Sequence, residues 1–205
     1  MSVKLIQNFR PSSALLLALV CFPSWSSAEG VSPQELVSRL QKGGHVIYLR
    51  HASTESDYAD QVTATPSDCA TQRVLSEAGW AQAKAIGAAI KALDVPVSDV
   101  VSSEYCRAWQ TADLAFGQYR KDPSLNFVAA EDYTDEEFAK MGAGVTPYLT
   151  PVPAAGNLIL VGHDDPFEAA TGIYPEPQGV AYVLRPLGDD FEVVGRIGPD
   201  EWPVQ

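Results

Sequence analysis

Three short, unbroken apolar runs constrain this fold most: Val46–Leu49, Val100-Val101 before Ser102-Ser103, and Leu158–Val161, set between stretches of helical periodicity. Continuous rather than alternating apolar character marks strands buried on both faces. Such strands alternating with helices build a largely parallel sheet covered by helices on each side. The expected fold class is α/β: a three-layer α-β-α sandwich on a mostly parallel sheet. No break in composition divides the 205 residues, a length that suits one domain.

Local signals place the elements. Ser32-Pro33-Gln34-Glu35 is a capping box with proline at the first helical position. It predicts a short helix with Leu36, Val37 and Leu40 inward and Gly43-Gly44 as its stop. His45–Arg50 is the first strand, followed by a polar loop to about Arg73. Ser76 caps an alanine-rich helix to about Leu93, with Trp80, Ala83, Gly87 and Ile90 on its apolar face. VSDVVSS is the second strand, Glu104–Phe116 a helix, and LNFVAAE (125–131) a candidate third strand. TDEEFAKMG reads as a short acidic helix stopped by Gly142, and TPYLTPVPAAG as a proline-rich loop. NLILVGH is a strand ending on His163; Asp165 caps the helix behind it, which stops at Gly172. GVAYVLRP and FEVVGRIG close the chain as two antiparallel strands. Trp80 and Trp109, at helical core spacing, read as packing residues.

The first 28 residues stand apart. Lys4 and Arg10 precede the apolar run Ala14–Phe22, and PSWSSA ends on the small-x-small pattern Ser26-x-Ala28. This is the pattern of a secretory signal peptide, and the apolar run is too short to span a bilayer. Cys21 would serve a lipoprotein signal, but bulky Val20 before it fits one poorly. The expected mature domain is residues 29–205, exported to the periplasm or secreted, with no membrane attachment after cleavage. Removing residues 1–28 takes away two of the 14 basic side chains and none of the 26 acidic ones. Such a surface repels nucleic acid and anionic lipid, so any anion site must be a local positive pocket. Cleavage also leaves two cysteines, Cys69 and Cys106. In an oxidising compartment an even pair suggests a disulfide; the alternative is two separate buried thiols.

Three strands end on chemistry. The first runs into Arg50-His51, the second into Ser102-Ser103 with Arg107 in the next helical turn, and the third into His163. Ligands of open α/β sheets bind at the carboxyl ends of strands. If the three are parallel, two arginines and two histidines meet there. Arginine forks match phosphate oxygens, and a histidine can attack phosphorus and carry the phosphoryl group. The chain has only three histidines and no carboxylate-rich ligand cluster, so no metal or other cofactor is expected.

These stretches resemble the histidine phosphatases of the phosphoglycerate mutase-like superfamily. LRHAST is similar to the family's Arg-His-Gly-x-Thr motif, with Ala52 in place of glycine. LSEAGWAQA, SSEYCRAWQTA and LILVGHDD match three further motifs in order, covering residues 45 to about 172. The resemblance implies a phosphoglycerate mutase-like fold and a phosphomonoester hydrolase that forms a phosphohistidine on His51. It implies a phosphate pocket of Arg50, Arg107 and His163, with the Thr54 hydroxyl beside it. The proton donor is Glu131, Asp164, or no dedicated acid. Asp57 stands where many members place an asparagine and is not assigned as a ligand. The partner is a small-molecule phosphate ester or a phosphorylated protein, not nucleic acid; oligomeric state and natural substrate are left open. The rival readings are a phosphohistidine-protein phosphatase and, outside enzymes, a weakly active protein that binds phosphate esters.

Overall fold

A computed structural model describes residues 30–128 and 133–203. The signal segment expected over residues 1–28 and the candidate donor Glu131 lie outside the described residues. The chain runs α1 (Pro33–Leu40), β1 (Val46–Arg50), α2 (Glu77–Ala92), β2 (Val97–Ser102), α3 (Cys106–Phe116), β3 (Arg120–Lys121), α4 (Asp135–Leu149), β4 (Asn157–Gly162), α5 (Asp164–Thr171), β5 (Ala181–Pro186) and β6 (Phe191–Ile197). The described strands form one sheet in the order β3-β2-β4-β1-β5-β6. β1, β4, β2 and β3 run parallel, while β5 is antiparallel to β1 and β6 to β5.

Successive side chains of a strand face opposite sides of the sheet. Ile47, Leu49, Val100, Ile159 and Val161 therefore build one core with α1, α2 and α3. Val46, Tyr48, Val101 and Leu160 build a second with Val145 and Leu149 of α4 and Phe167 of α5. Each large apolar side chain so buried contributes roughly 1.5–3 kcal/mol. The three-layer α-β-α sandwich expected from the sequence is the observed architecture.

Four local expectations are corrected. Trp80 is not core: it is 51 % exposed. The inward stripe of α2 begins at Gly79, where an added Cβ would lie 1.9 Å from the Ser53 carbonyl oxygen. The helix backbone rests directly on the loop after β1, and one residue further the wheel turns Trp80 to solvent. Gly142 does not stop α4, which continues through Pro147 to Leu149. It is a contact point instead, because a Cβ there would approach Ala169 of α5 to 2.6 Å. The described part of the expected third strand 125–131, residues 125–128, forms no strand, and residues 129–131 lie outside the described residues; the strand observed there is the two-residue β3, paired with Val101 and Ser102. Asp122 accepts from the Ser124 N–H and Pro123 has no N–H to give a ladder, so the chain turns there. Asp165 does not cap α5; the cap position is His163, without a side-chain cap bond.

Candidate active site

The register brings the predicted strand ends together. Arg50 at the end of β1 lies opposite Gly162 at the end of β4, and Ser102 of β2 lies opposite Val161. The chain then leaves each strand through a backbone bond to its neighbour. His51 N–H donates to Gly162 O at 3.0 Å, and Ser103 N–H to Val161 O at 2.9 Å. The His51 carbonyl accepts from Gly179 N–H at 3.0 Å. Arg50, His51, Arg107 and His163 are all buried at this one sheet edge, an unusual grouping of polar side chains.

The sequence motifs explain how the nucleophile loop is held. Ser76 caps α2 by accepting from Gly79 N–H at 3.0 Å, while its own N–H donates to Ser53 O at 3.0 Å. Gln82, one turn on, accepts from Ser53 N–H at 2.9 Å. Thr111 of α3 accepts from Ala52 N–H at 3.0 Å and donates to Arg107 O at 2.7 Å. Ala52 is fully buried against Leu75 and Ala83. The backbone after His51 is thus fixed by side chains from α2 and α3, and the backbone before it by the sheet and by Arg50 N–H on Val180 O at 3.0 Å.

Hydrogen bonding sets the tautomers. His51 Nδ1 lies 2.9 Å from the Ala52 carbonyl oxygen, which can only accept, so Nδ1 carries the proton. His51 Nε2 then presents its lone pair, and Arg107 Nε–H donates to it at 3.2 Å. Burial, first, and the Arg107 charge, second, push the His51 imidazolium well below the usual histidine range. His163 is held similarly neutral by burial and by Arg107. Its Nε2 lies 2.9 Å from Ser103 Oγ. That hydroxyl donates to Asn126 Oδ1 at 2.8 Å, so it accepts from His163 Nε2–H. Nδ1 of His163 and Nε of Arg50 are buried without a hydrogen-bond partner among the described residues.

Aromatic rings wall the pocket. The His51 and His163 rings meet edge-on at 5.4 Å, Phe127 lies 4.6 Å from His163, and the Arg107 guanidinium sits 4.8 Å above Phe127. Carboxylates meet both arginines. Arg107 NH1 donates to Asp60 Oδ1 at 2.9 Å, and Arg50 NH2 to Asp164 Oδ2 at 2.5 Å. Arg50 NH1 donates to Pro175 O at 2.8 Å, and its guanidinium stacks on Tyr174 at 5.4 Å. Asp164 also accepts from the Tyr174 hydroxyl at 2.8 Å, so the structure makes it an orienting acceptor for Arg50. Thr54 pairs with the Gln178 amide, and Asp57 is exposed. Cys69 and Cys106 form a disulfide that ties the loop to the residue preceding Arg107.

Asn126, Phe127, Asp60, Tyr174 and Tyr48 escaped the sequence reading, and Ser103, read as a strand end, was given no role beside His163. Ser103 was within reach, since it ends a strand inside a motif. Asp60 was not: it stands 47 positions from its arginine in a loop without local pattern.

The model of the histidine phosphatase superfamily (branch 1) matches residues 46–146. The fold is similar to that of the protein histidine phosphatase SixA complexed with tungstate, at TM-score 0.52 and 14 % identity over 76 % of this chain and 97 % of that one. It is also similar to a mutant phosphoserine phosphatase from Entamoeba histolytica with phosphoserine, at TM-score 0.58 and 11 % identity over 77 % and 98 %. A mycobacterial glucosyl-3-phosphoglycerate phosphatase with VO3 gives TM-score 0.56 and 17 % identity over 80 % and 100 %. No curated protein matches by sequence. With the matched segment carrying Arg50, His51 and Arg107 in the geometry above, the chain belongs to the histidine phosphatase superfamily, branch 1.

Proposed function

We propose that this histidine-type phosphatase hydrolyses phosphomonoesters through a covalent phosphohistidine on His51, without a metal ion, outside the cytoplasm. The observation that carries the mechanism is the tautomer of His51: a neutral imidazole with Nδ1–H anchored on Ala52 O and the Nε2 lone pair turned to Arg107. In the first step Nε2 bonds to phosphorus while the ester P–O bond breaks, and the leaving oxygen takes a proton. Arg50 and Arg107 hold the phosphoryl oxygens as charge spreads over them, and His163 joins them when its Nδ1, unpartnered among the described residues, takes up a proton beside the bound dianion. In the second step water attacks phosphorus, the N–P bond breaks, and inorganic phosphate leaves. The anchored Nδ1–H keeps the ring in one orientation through both steps. Glu131, water and Asp164 are the candidate sources of the leaving-group proton. The pairing of Asp164 with Arg50 and Tyr174 favours the first two.

Export is supported by the signal-like residues 1–28 and by the Cys69–Cys106 bridge, a bond that persists in oxidising compartments. The test is turnover of an aryl phosphate with chelator present, alongside His51→Ala. The expected result is turnover in the wild type alone, with acid-labile phosphate trapped on His51. Activity that survives in the variant overturns His51 as nucleophile; no turnover in either overturns the enzyme.

A further inference from the structure

One more cation reaches this pocket. Residues 74 and 75 are zipped to the loop after His51, through Glu55 N–H to Val74 O at 3.1 Å and the Thr54–Leu75 bridge. This carries Arg73 to the mouth of the site. Its backbone N–H donates to Asp60 Oδ1 at 2.8 Å, and that same oxygen accepts from Arg107 NH1 at 2.9 Å. Its neighbour Gln72 is buried and accepts from Cys106 N–H at 2.7 Å, so the segment is fixed against the start of α3. Arg73 Nε is buried and has no hydrogen-bond partner among the described residues.

We propose that Arg73 is a third guanidinium of the phosphate pocket, which donates to the phosphoryl oxygens and selects dianionic monoesters over monoanionic diesters. The proposal rests on the phosphatase reading above and deepens it. Arg50 and Arg107 are each ion-paired, with Asp164 and Asp60, whereas the Arg73 guanidinium forms no ion pair among the described residues of a chain whose net charge is −12. A buried donor without an acceptor is costly, and an anionic oxygen relieves that cost with a charge-assisted bond. The positive charge of Arg73 is also felt at His51, His163 and Arg107, where it opposes protonation alongside burial. A dianion would offset the repulsion between Arg73 and Arg107 better than a monoanion can.

The experiment titrates inorganic phosphate into the whole chain by calorimetry, for wild type, Arg73→Met and Arg73→Lys. Methionine keeps the stem and removes the charge. The expected result is phosphate binding weakened 10- to 100-fold in Arg73→Met and partly kept in Arg73→Lys. KM for an aryl phosphate should rise by a similar factor with kcat changed less. If Arg73→Met does not fold, Arg73→Lys decides, because loss of the planar fork should still weaken phosphate several-fold. Wild-type phosphate affinity in the folded variant overturns the role of Arg73 and leaves the phosphatase reading intact. Phosphate binding that depends on Arg73 in a chain without turnover overturns the phosphatase reading and leaves Arg73 in place.

Discussion

The Tyr48 hydroxyl grips the backbone of His163 on both sides, donating to its carbonyl oxygen at 2.8 Å and accepting from its N–H at 3.1 Å. Tyr48 is fully buried on β1, its ring against Phe167, which packs in turn on Tyr182. Burial pushes its phenol well above the usual range, so it stays a neutral donor and acceptor. Gly162, just before His163, makes the approach possible: a Cβ there would lie 2.3 Å from the hydroxyl. One strand thus delivers the nucleophile just past its end and, three residues earlier, the group that orients the opposing histidine. Tyr48→Phe keeps the ring and removes the grip. A buried N–H left without its acceptor costs roughly 1–3 kcal/mol. The expected outcome is that loss in chemical denaturation, together with a kcat lowered about tenfold and KM nearly unchanged. A drop in stability with wild-type kcat would limit Tyr48 to packing.

The burial of two neutral histidines makes stability depend on pH. Burial, with the Arg107 charge beside them, holds both imidazolium pKa values below the ordinary histidine value of about 6.5. As pH falls below about 6.5, the unfolded chain takes up protons at these positions and the folded chain does not, so stability falls with pH. Carboxylates ordinarily titrate near about 4, at the acid side of this window, and of those perturbed here Asp122 and Glu137 are pushed lower still while burial raises Asp165. Tm should therefore decline between pH 6.5 and 5.5, and less steeply in His163→Gln. The imidazole resonances of His51 and His163 should keep their neutral positions through pH 6.5 in NMR. An imidazole titrating at 6.5 would mean that the ring is wetter than the structure has it.

What the sequence made legible follows from distance along the chain. Capping residues, strand ends and the four motifs act within a few positions, so Ser32, Ser76, Arg50-His51 and Arg107 could be placed in advance. The parallel register also followed, since unbroken apolar strands need cover on both faces. The second ring of partners depends on folding. Tyr48 meets His163 across 115 positions and Arg50 meets Asp164 across 114. Trp80 was misread for a related reason: the contact surface of α2 is set by a missing side chain at Gly79, which a hydrophobic pattern scores as nothing. β3 was misplaced because Leu125 is apolar for the sake of the α4–α5 core, not of a strand.

The Cys69–Cys106 bridge closes a loop with sequence separation 37 that carries Gln72 and Arg73 against α3. In the chain-entropy model a loop of this length stabilises by about 4 kcal/mol. Cys69→Ser combined with Cys106→Ser should lose a large part of that in denaturant titration. Because Gln72 still holds the Cys106 N–H, the site should loosen rather than dissolve, with KM raised several-fold and kcat largely kept. Reductant added to the wild type should reproduce both effects. Unchanged KM under full reduction would separate the bridge from the aim of Arg107.

Asp60 confronts the same arginine that the substrate needs. Its carboxylate accepts from Arg107 NH1 and from the Arg73 N–H, and it is four-fifths buried by side-chain exposure of 17 %. At an effective dielectric near 20, two like charges some 6 Å apart repel by roughly 3 kcal/mol. Part of that repulsion is cancelled by the arginines between Asp60 and a bound phosphate. Asp60→Asn keeps the oxygen that takes both hydrogen bonds and removes the charge. The two possible roles of Asp60 then differ in sign. If its charge mainly opposes the incoming anion, inorganic phosphate binds Asp60→Asn about tenfold more tightly in calorimetry, and product inhibition of turnover becomes stronger. If its charge mainly holds Arg107 in place, affinity falls instead. The geometry predicts tighter binding: Arg107 is already fixed through Nε on His51 and by its ring contact with Phe127. An affinity lowered tenfold would show that those two contacts do not suffice and that Asp60 is needed to aim the guanidinium.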